Sequence, residues 1–474
     1  MNIDQIKRSA KFLLWLEPLT LLAMVYTFWF PSNYPAPYAE PIDRTQFAWL
    51  LLFVAVFMLL RFIAYGRLWS RTPLEFWLIG LIVVGWLNLQ TADGIFNRQI
   101  APYPTRGAFM LMRPLLGLAL IVYFMETTNA QKSMLIPLLW MLALGLAVGI
   151  IALGTTQWVT KAAAINAITD SMPRFTLPPF INSFNPNELA GALAWLTPLL
   201  AGLALYPWSR GKRLLRGLSA VAFILLFAAL FLGQSRFAIT GVILGLCGIA
   251  LFIVPRGLPR YAALAGLVLI ILLQAALFLN IFPSPVSEST SAAGISERDE
   301  SSFTRRFDIW RSALDMMIDH PLTGTGINNF RSGPVREDYP VVTYDFDCPQ
   351  STGCPRVLPH AHNELLQIGA DLGIPGLIIF LGWHLTTAYM LWVCWRKGDQ
   401  AARVVAVAVA AGLLAHIVFS MGDAIALWDR LHFVHWLLIG LAAGQYRLSS
   451  PIKIKLQDAH NSAVRHKSQK EVSS

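Results

Sequence analysis

The chain has 474 residues, of which 55% are hydrophobic and only 14% are charged, and its formal net charge is +10. Soluble globular proteins carry about a quarter charged residues, so this composition excludes an ordinary soluble enzyme. The excess positive charge lies in short segments between apolar runs, a pattern typical of membrane orientation and not of nucleic-acid binding.

Apolar runs long enough to cross a bilayer recur along the whole chain. A criterion of about 20 residues per span predicts about twelve transmembrane helices, and therefore an all-α polytopic membrane protein. The predicted spans are centred near residues 21, 56, 82, 117, 144, 197, 225, 246, 270, 386, 411 and 438. The first run lacks a small-residue cleavage site, so we interpret it as a retained span and not a signal peptide.

The segments between the spans sort by charge. The basic residues of every second connection are Lys7, Arg8, Lys11, Arg67, Arg71, Lys132, Arg210, Lys212, Arg213, Arg216, Arg256, Arg260, Arg396, Lys397, Arg403 and Arg447. The alternate connections are longer and poorer in Lys and Arg, which predicts that both termini are cytoplasmic. Residues 1–446 form one predicted membrane domain, with a large outer loop at about 281–360 between spans nine and ten. The basic tail 447–474 is predicted to be disordered and cytoplasmic.

The first outer segment with candidate chemistry opens the sixth span. Asn187 suits the N-cap of that helix and Glu188 suits its positive end. This structural interpretation is sufficient, and the functional alternative is that Asn185 or Glu188 lines a polar cavity at the outer surface.

Arginines mark two further outer segments. Arg236 lies in the short turn Gln234-Ser235-Arg236, where outer turns are otherwise poor in arginine. Arg305 and Arg306 belong to a predicted amphipathic helix of the large loop, with apolar residues at helical spacing from Ile309 to Met317. A guanidinium binds phosphate oxygens through two parallel hydrogen bonds, so two such arginines would clamp a diphosphate. The alternatives are an interfacial arginine at 236 and a solvated helix face at 305 and 306.

Two cysteines, Cys348 and Cys354, lie late in the same loop. Their predicted outer location favours a local disulfide. A structural zinc site that includes His360 and His362, or a pair of free thiols, are the alternatives.

The stretch 359–376 follows the loop and leads directly into the tenth span. Pro359 suits a helix entry, while Gly373 and Pro375 suit a break, so we predict about three turns of helix between them. A helical period places His360 on a polar face toward water and His362 on the opposite face above Gly369. The polar face also carries Glu364, Gln367 and Asp371. A neutral, partly enclosed His362 would accept a proton near neutral pH, and the alternative is that it only caps the helix.

Several catalytic signatures are missing from the sequence. There is no P-loop, no H-E-x-x-H, no G-x-S-x-G and no paired-acid loop for a metal-dependent sugar transferase. These absences argue against ATP hydrolysis, metalloproteolysis and serine hydrolysis.

The collected residues resemble the O-antigen ligase family, which is similar to O-antigen polymerases and protein O-oligosaccharyltransferases. The family pattern is His, then Asn, Ser or Gln, then nine residues and Gly-x-x-Gly. Here His362-Asn363 and Gly373-Ile374-Pro375-Gly376 match it without a gap. The resemblance covers roughly residues 180–395.

This resemblance implies a metal-independent, cofactor-free transferase at the outer face of a bacterial inner membrane. The donor would be a glycan on undecaprenyl diphosphate, and the acceptor hydroxyl would belong to lipid A–core, another glycan or a protein. His362 would activate or position the acceptor, and Arg236 and Arg306 would bind the diphosphate. Arg305, Asn363, Asn187, Glu188 and His360 would complete the substrate site.

A transporter or lipid flippase is the alternative from a different class. Transporters place charged groups near the middle of the bilayer, often on broken helices in repeated halves. Here the sequence shows no internal repeat and the notable residues cluster outside, so we favour the transferase.

Overall fold

In the computed structural model, the described residues are 3–19, 22, 44–96, 103–156, 158, 163–172, 186–209, 212–278, 293–330, 333–341, 360–427 and 431–450. Within these ranges the chain is all-helical and contains no strand. The prediction of an all-α fold is therefore confirmed for this part of the chain.

The first helices in chain order are α1 (Ile3–Leu13), α2 (Arg44–Tyr65), α3 (Glu75–Phe96), α4 (Tyr103–Gln131), α5 (Leu135–Thr155), α6 (Ala163–Ser171), α7 (Pro186–Ala204) and α8 (Arg213–Leu232). The remaining helices are α9 (Arg236–Phe252), α10 (Leu258–Phe278), α11 (Ala293–Asp319), α12 (Gly333–Asp338), α13 (Glu364–Lys397), α14 (Gln400–Phe419) and α15 (Phe433–Ser449). The short 3-10 turn Leu14–Leu16 follows α1.

Several of these helices are apolar enough to cross a bilayer. Four described helices, α5, α8, α13 and α14, meet both the length and the hydropathy expected of a span. Shorter apolar helical segments begin at Leu51 within α2, at Glu75, at Arg236 and at Leu258. The chain is thus a multi-pass membrane protein, while the count of about twelve spans stays a prediction.

Close packing of α9 against α14 builds the centre of the bundle. Gly241 and Gly245, one helical turn apart, face α14, and a Cβ at either position would lie within 2.7 Å of the carbonyl oxygen of Ala415 or Ala411. Small residues at this spacing let two helix backbones approach, which is how helices associate in a bilayer without a hydrophobic driving force. This contact holds the N-terminal end of α9, where Arg236 lies, beside the C-terminal end of α14.

Helix α13 bends at its tenth residue. Gly373 has φ +66° and ψ −167°, and Pro375 follows it, so the prediction of a break at this place is confirmed. The turn from Pro321 to Gly326 lies against the bend and forms hydrogen bonds with the backbone groups that the bend exposes. Ile374 N donates to Pro321 O at 2.8 Å and Thr325 N donates to Ala370 O at 2.8 Å. The outer loop is thereby attached to the first three turns of α13.

The side chain of Asn88 in α3 also holds this turn against α13. Its Nδ2 donates to the carbonyl oxygens of Thr323 and Asp371, and its Oδ1 accepts from Ile327 N at 2.9 Å. A buried amide that bonds three backbone groups fixes their relative positions, because leaving any of them unpaired would cost about 1–3 kcal/mol.

Few charged side chains lie inside the helices of the described ranges, and one buried arginine among them forms an ion pair. Arg61 is buried and forms an ion pair with Glu17. Arg113 and Glu126 of α4 are also buried.

Candidate active site

Two histidines converge on one carboxylate at the start of α13. His360 Nε2 lies 3.1 Å from Asp423 Oδ1, and His362 Nδ1 lies 3.6 Å from the same oxygen. The two imidazole rings meet edge to face with centroids 4.4 Å apart. Each histidine side chain is 19% exposed and Asp423 is 8% exposed. The site is thus a carboxylate beneath two partly accessible imidazoles.

The backbone of His362 and Asn363 leads from the histidine segment into α13. His362 has φ +49°, a left-handed conformation that non-glycine residues adopt only when their surroundings impose it. Asn363 follows in an extended conformation as the N-cap of α13, and its Oδ1 accepts from Leu366 N at 3.1 Å. The helix therefore begins at Glu364, after the two histidines.

A buried polar network supports the histidine segment from below. Gln367 Oε1 accepts from Ala361 N at 2.6 Å, and Gln367 Nε2 donates to Asp371 Oδ2 at 2.6 Å. Asp371 Oδ1 accepts in turn from Phe330 N at 3.2 Å. The bonds from Ala361 N and Phe330 N fix two backbone groups of the loop against α13, so the helix determines the position of Ala361 between the two histidines.

Glu364 holds the segment that carries Asp423. Its Oε2 accepts from Ile425 N at 2.8 Å and from Ala426 N at 3.0 Å, and its own amide donates to Ser420 O at 3.0 Å. Hydrogen bonds to a carboxylate are stronger than neutral ones. Glu364, two residues after His362, therefore ties the histidine segment to the 420–426 turn.

Arg236 and Arg306 lie beside the same turn and are linked to it by Phe237. The guanidinium carbon of Arg306 lies 5.6 Å from the centre of the Phe237 ring. That ring also packs against Gly422, where a Cβ would lie 2.4 Å from Phe237 Cδ2. Arg236, the first residue of α9 and exposed, precedes Phe237 directly. Phe237 thus contacts both Arg306 and the turn that carries Asp423, although Arg306 lies about 70 residues after Arg236 in sequence.

Helix α7 approaches the turn from a further side. A Cβ at Gly191 would lie 2.3 Å from Ile425 Cδ1. Asn187 and Glu188 are half-buried in the first turn of this helix. Because α7 begins at Pro186, Asn187 lies inside the helix, and the prediction that it is the N-cap is wrong.

Three predicted features fall on residues whose side chains the structure does not describe. Cys348 and Cys354 lie outside the described residues, and Arg305 is described only as part of α11. The disulfide therefore stays a prediction. Cys247 and Cys394, inside α9 and α13, are free thiols.

The electrostatics of the site favour an ionised Asp423. Burial by itself raises the pKa of this carboxyl, but His360, then His362, and the amide of Ala424 together hold that pKa well below its ordinary value. Asp423 is thus negatively charged at neutral pH.

The same three side chains have the composition of a metal-ligand set. One ligand atom from each of His360, His362 and Asp423 lies within 4.8 Å of the others. Two imidazoles and a carboxylate are ligands suited to zinc-like cations. A proton held between imidazole and carboxylate satisfies the same atoms, so the geometry by itself fits either arrangement.

Three predictions for the stretch 359–376 are wrong. The helix does not begin near Pro359, and Glu364, Gln367 and Asp371 face the protein and not water, with at most 2% exposure. The reason is that the loop before α13 supplies backbone partners for Gln367 and Asp371, and the 420–426 turn supplies them for Glu364. The space predicted for His362 above Gly369 is taken by Met317, whose Sδ would lie 2.6 Å from a Cβ there.

Sequence reasoning missed Asp423 as a site residue, as well as Asn88 and Glu364 as supports. The available signal was an acid in a short outer turn between two apolar spans, which needs a partner. Which partner it has depends on tertiary structure.

Comparison with known proteins adds one match. A search of curated proteins finds none that is similar. Residues 221–381 match the family model described as O-antigen ligase. This matched segment contains Arg236, Arg306 and His362, together with the bend of α13. Residues 221–381 are therefore similar to the O-antigen ligase family, which supports the resemblance carried by the sequence motif.

Proposed function

We propose that this protein transfers a glycan from an undecaprenyl-diphosphate donor to an acceptor hydroxyl at the outer face of a bacterial inner membrane. The observation that carries the proposal is the pairing of His362 with Asp423 at 3.6 Å, on a turn whose Gly422 contacts Phe237, the ring that Arg306 covers. An imidazole beside an ionised carboxylate is a suitable general base, and two arginines suit a diphosphate.

In the proposed reaction the acceptor O–H gives its proton to the imidazole of His362. The acceptor oxygen attacks the anomeric carbon from the side opposite the diphosphate, and the bond from that carbon to the diphosphate oxygen breaks. The lipid diphosphate leaves with the electron pair, and Arg236 and Arg306 stabilise its charge. The imidazolium then releases its proton to water, and inversion at the anomeric carbon results.

Asp423 and His360 have positioning roles in this proposal. Asp423 orients the His362 ring and stabilises the imidazolium as it forms, as a carboxylate does for a catalytic histidine elsewhere. Asn363 fixes the start of α13. Asn187, Glu188 and Arg305 would contact the acceptor or the sugar.

The decisive experiment replaces the proposed base. His362→Ala in proteoliposomes should lower glycan transfer about 10²-fold or more, while binding of the lipid-linked donor persists. His320→Ala is a matched control, since that ring lies in the same outer loop beside Tyr339, with centroids 6.4 Å apart. Transfer that survives His362→Ala would exclude this mechanism, and solute flux without transfer would favour a transporter.

Metal independence is tested in the same assay. We expect full transfer after removal of divalent cations with EDTA, because His362 needs its lone pair for the acceptor proton. A loss that zinc or manganese restores would instead show that His360, His362 and Asp423 bind a required cation.

The acceptor decides between ligase and polymerase, whose chemistry at this site is the same. Offering lipid A–core, the donor glycan itself and a hydroxyl-bearing peptide to one preparation would identify which hydroxyl is glycosylated. Conversion of none of the three would contradict the proposed acceptor class.

A further inference from the structure

Helix α11 of the outer loop is apolar on two separate faces. One face, formed by Ile309, Ala313 and Met316, is buried in a small hydrophobic core. The second face carries Phe307, Leu314 and Ile318, whose exposed fractions are 54%, 40% and 67%. Packing of the loop explains the first face. It does not explain why large apolar residues recur at positions 307, 314 and 318.

The residues on either side of this second face differ in character. At 100° per residue, Asp308, Asp315 and Asp319 form one edge of the stripe, and the hydroxyl of Tyr339 donates to Asp319 Oδ2 at 3.0 Å. Arg306, Trp310 and Met317 lie along the opposite edge, toward α9 and α13, where Arg306 contacts Phe237 and Met317 contacts Gly369. The helix thus shows a water-seeking edge, an apolar stripe and an edge that faces the candidate site.

The apolar stripe continues into the surface of a membrane-spanning helix. Leu322, 76% exposed, follows Ile318 by one turn, and its neighbour Pro321 accepts a hydrogen bond from Ile374 N. From Ile374 the exposed apolar residues of α13 continue at helical spacing through Ile378, Leu381 and Leu385. Helix α13 has the length and hydropathy of a span, so its exposed apolar side chains face lipid.

We propose that α11 lies in the plane of the membrane, with Phe307, Leu314, Ile318 and Leu322 immersed in the outer leaflet. The occupant of the stripe is the bilayer, because the stripe is continuous with a lipid-facing surface and is bordered by carboxylates on one edge only. An in-plane amphipathic helix buries its apolar face in the region between headgroups and acyl chains. Arg311, exposed between the stripe and the acidic edge, would reach the headgroups in the manner usual for interfacial arginines.

This arrangement deepens the proposed function and rests on it only for the role of Arg306. Arg306 directly precedes Phe307, so immersion of the stripe fixes the Arg306 guanidinium at the depth of lipid phosphates. A lipid-linked diphosphate in the same leaflet then meets Arg306 without leaving the bilayer. The helix therefore sets the depth at which the donor is recognised.

The immersion is tested with an environment-sensitive fluorophore on single added cysteines in the full-length protein, reconstituted in phosphatidylglycerol and phosphatidylcholine nanodiscs. Preparations without an added cysteine supply the background. Labels at positions 314 and 318 should lose most of their fluorescence to nitroxide-bearing lipid and little to aqueous iodide. A label at position 315, one residue away on the acidic edge, should show the reverse. Equal iodide quenching at all three positions would overturn the proposal.

Two other occupants give distinct results. If lipid quenching at 314 and 318 appears only after a polyprenyl diphosphate is added, the stripe binds the donor's tail and not the bilayer. If quenching falls as the number of protein copies per disc rises, the stripe is a contact between copies. Either result contradicts bilayer immersion.

A functional measurement separates this inference from the proposed reaction. Ile318→Asp should lower turnover of lipid-linked donor about tenfold, the equivalent of losing one buried apolar side chain, while Asp315→Asn should leave turnover unchanged. If Ile318→Asp has no effect while His362→Ala abolishes transfer, the interfacial role fails and the proposed function stands. If both variants transfer normally, both proposals fail.

Discussion

Among single residues, Asp423 has the widest consequences, because both histidines of the candidate site share its Oδ1 atom. Glu364 fixes the backbone that follows Asp423, so the carboxylate keeps its place beneath the imidazoles. A buried carboxylate is costly to deprive of its partners, because removing them leaves a buried charge unpaired.

The depressed pKa of Asp423 predicts a specific pH dependence of stability. Burial raises the pKa of Asp423, but the two histidines lower it by more than burial raises it. The folded state therefore binds the Asp423 proton more weakly than the unfolded state does. The stabilisation is therefore present above the ordinary aspartate value of about 3.9 and is lost as the pH falls through the lower folded value. In detergent, Asp423→Asn should lower Tm by a constant amount from about pH 8 to pH 5, and this difference should shrink below about pH 4.

The ionisation of Asp423 also predicts how the rate of transfer depends on pH. Since Asp423 stays ionised over the range in which histidine titrates, about pH 5 to 8, no step in the pH–rate profile there belongs to Asp423. A difference in Tm between the unaltered protein and Asp423→Asn that grows on acidification would contradict the assigned direction of the Asp423 pKa shift.

At the scale of elements, the bend of α13 joins the bundle to the outer loop. Gly373 has a positive φ, and a Cβ there would lie 2.6 Å from Pro321 O and 3.0 Å from Gly324 N. Gly324 also has a positive φ, and a Cβ added there would lie just as close to the carbonyl group of Asp371. The two glycines let the loop backbone lie directly on the helix, which places the Asp371 network under the histidines.

Gly373→Ala should therefore weaken both the fold and the site. Left-handed strain costs about 1–3 kcal/mol, and the clash with backbone atoms adds to it because backbone cannot move aside cheaply. Gly248→Ala in α9 is the control, since no atom lies within 4 Å of its added Cβ and alanine favours a helix. We expect a lower Tm and lower donor turnover for Gly373→Ala, and no loss for Gly248→Ala. Equal Tm values for the two variants would show that the bend tolerates a side chain.

The elements also show what the sequence could predict. The break at Gly373 and the short turn before Arg236 follow from local residue preferences, so they were predictable. The contact of the left-handed His362 with Asp423 joins positions 61 residues apart in the chain. Gln367 and Asp371 are buried by a loop whose position no local period predicts. The histidines and arginines were therefore identifiable one by one, but Asp423 and the contacts among these residues were not.

At the scale of the whole molecule, helix direction relates the site to the charge of the connections. Helix α8 begins at Arg213 and ends beside Gln234, whereas α13 begins at the histidines and ends at Arg396 and Lys397. The basic connections therefore lie at the ends of these helices that are remote from the site. Lys- and Arg-rich connections stay on the cytoplasmic side of bacterial membranes, which favours an outer location for the site, where a lipid-linked glycan would be available.

This orientation predicts which surface positions an impermeant reagent reaches. Asp338, exposed in α12, and Arg256, exposed in the connection between α9 and α10, are each replaced by cysteine in the full-length protein. On intact spheroplasts a membrane-impermeant maleimide should label the cysteine at 338 and not the one at 256, and both should react after lysis. The reverse pattern would place His362 and the arginines on the cytoplasmic side. A periplasmic glycan donor would then have no access to them, because no charged diphosphate crosses the bilayer core unaided.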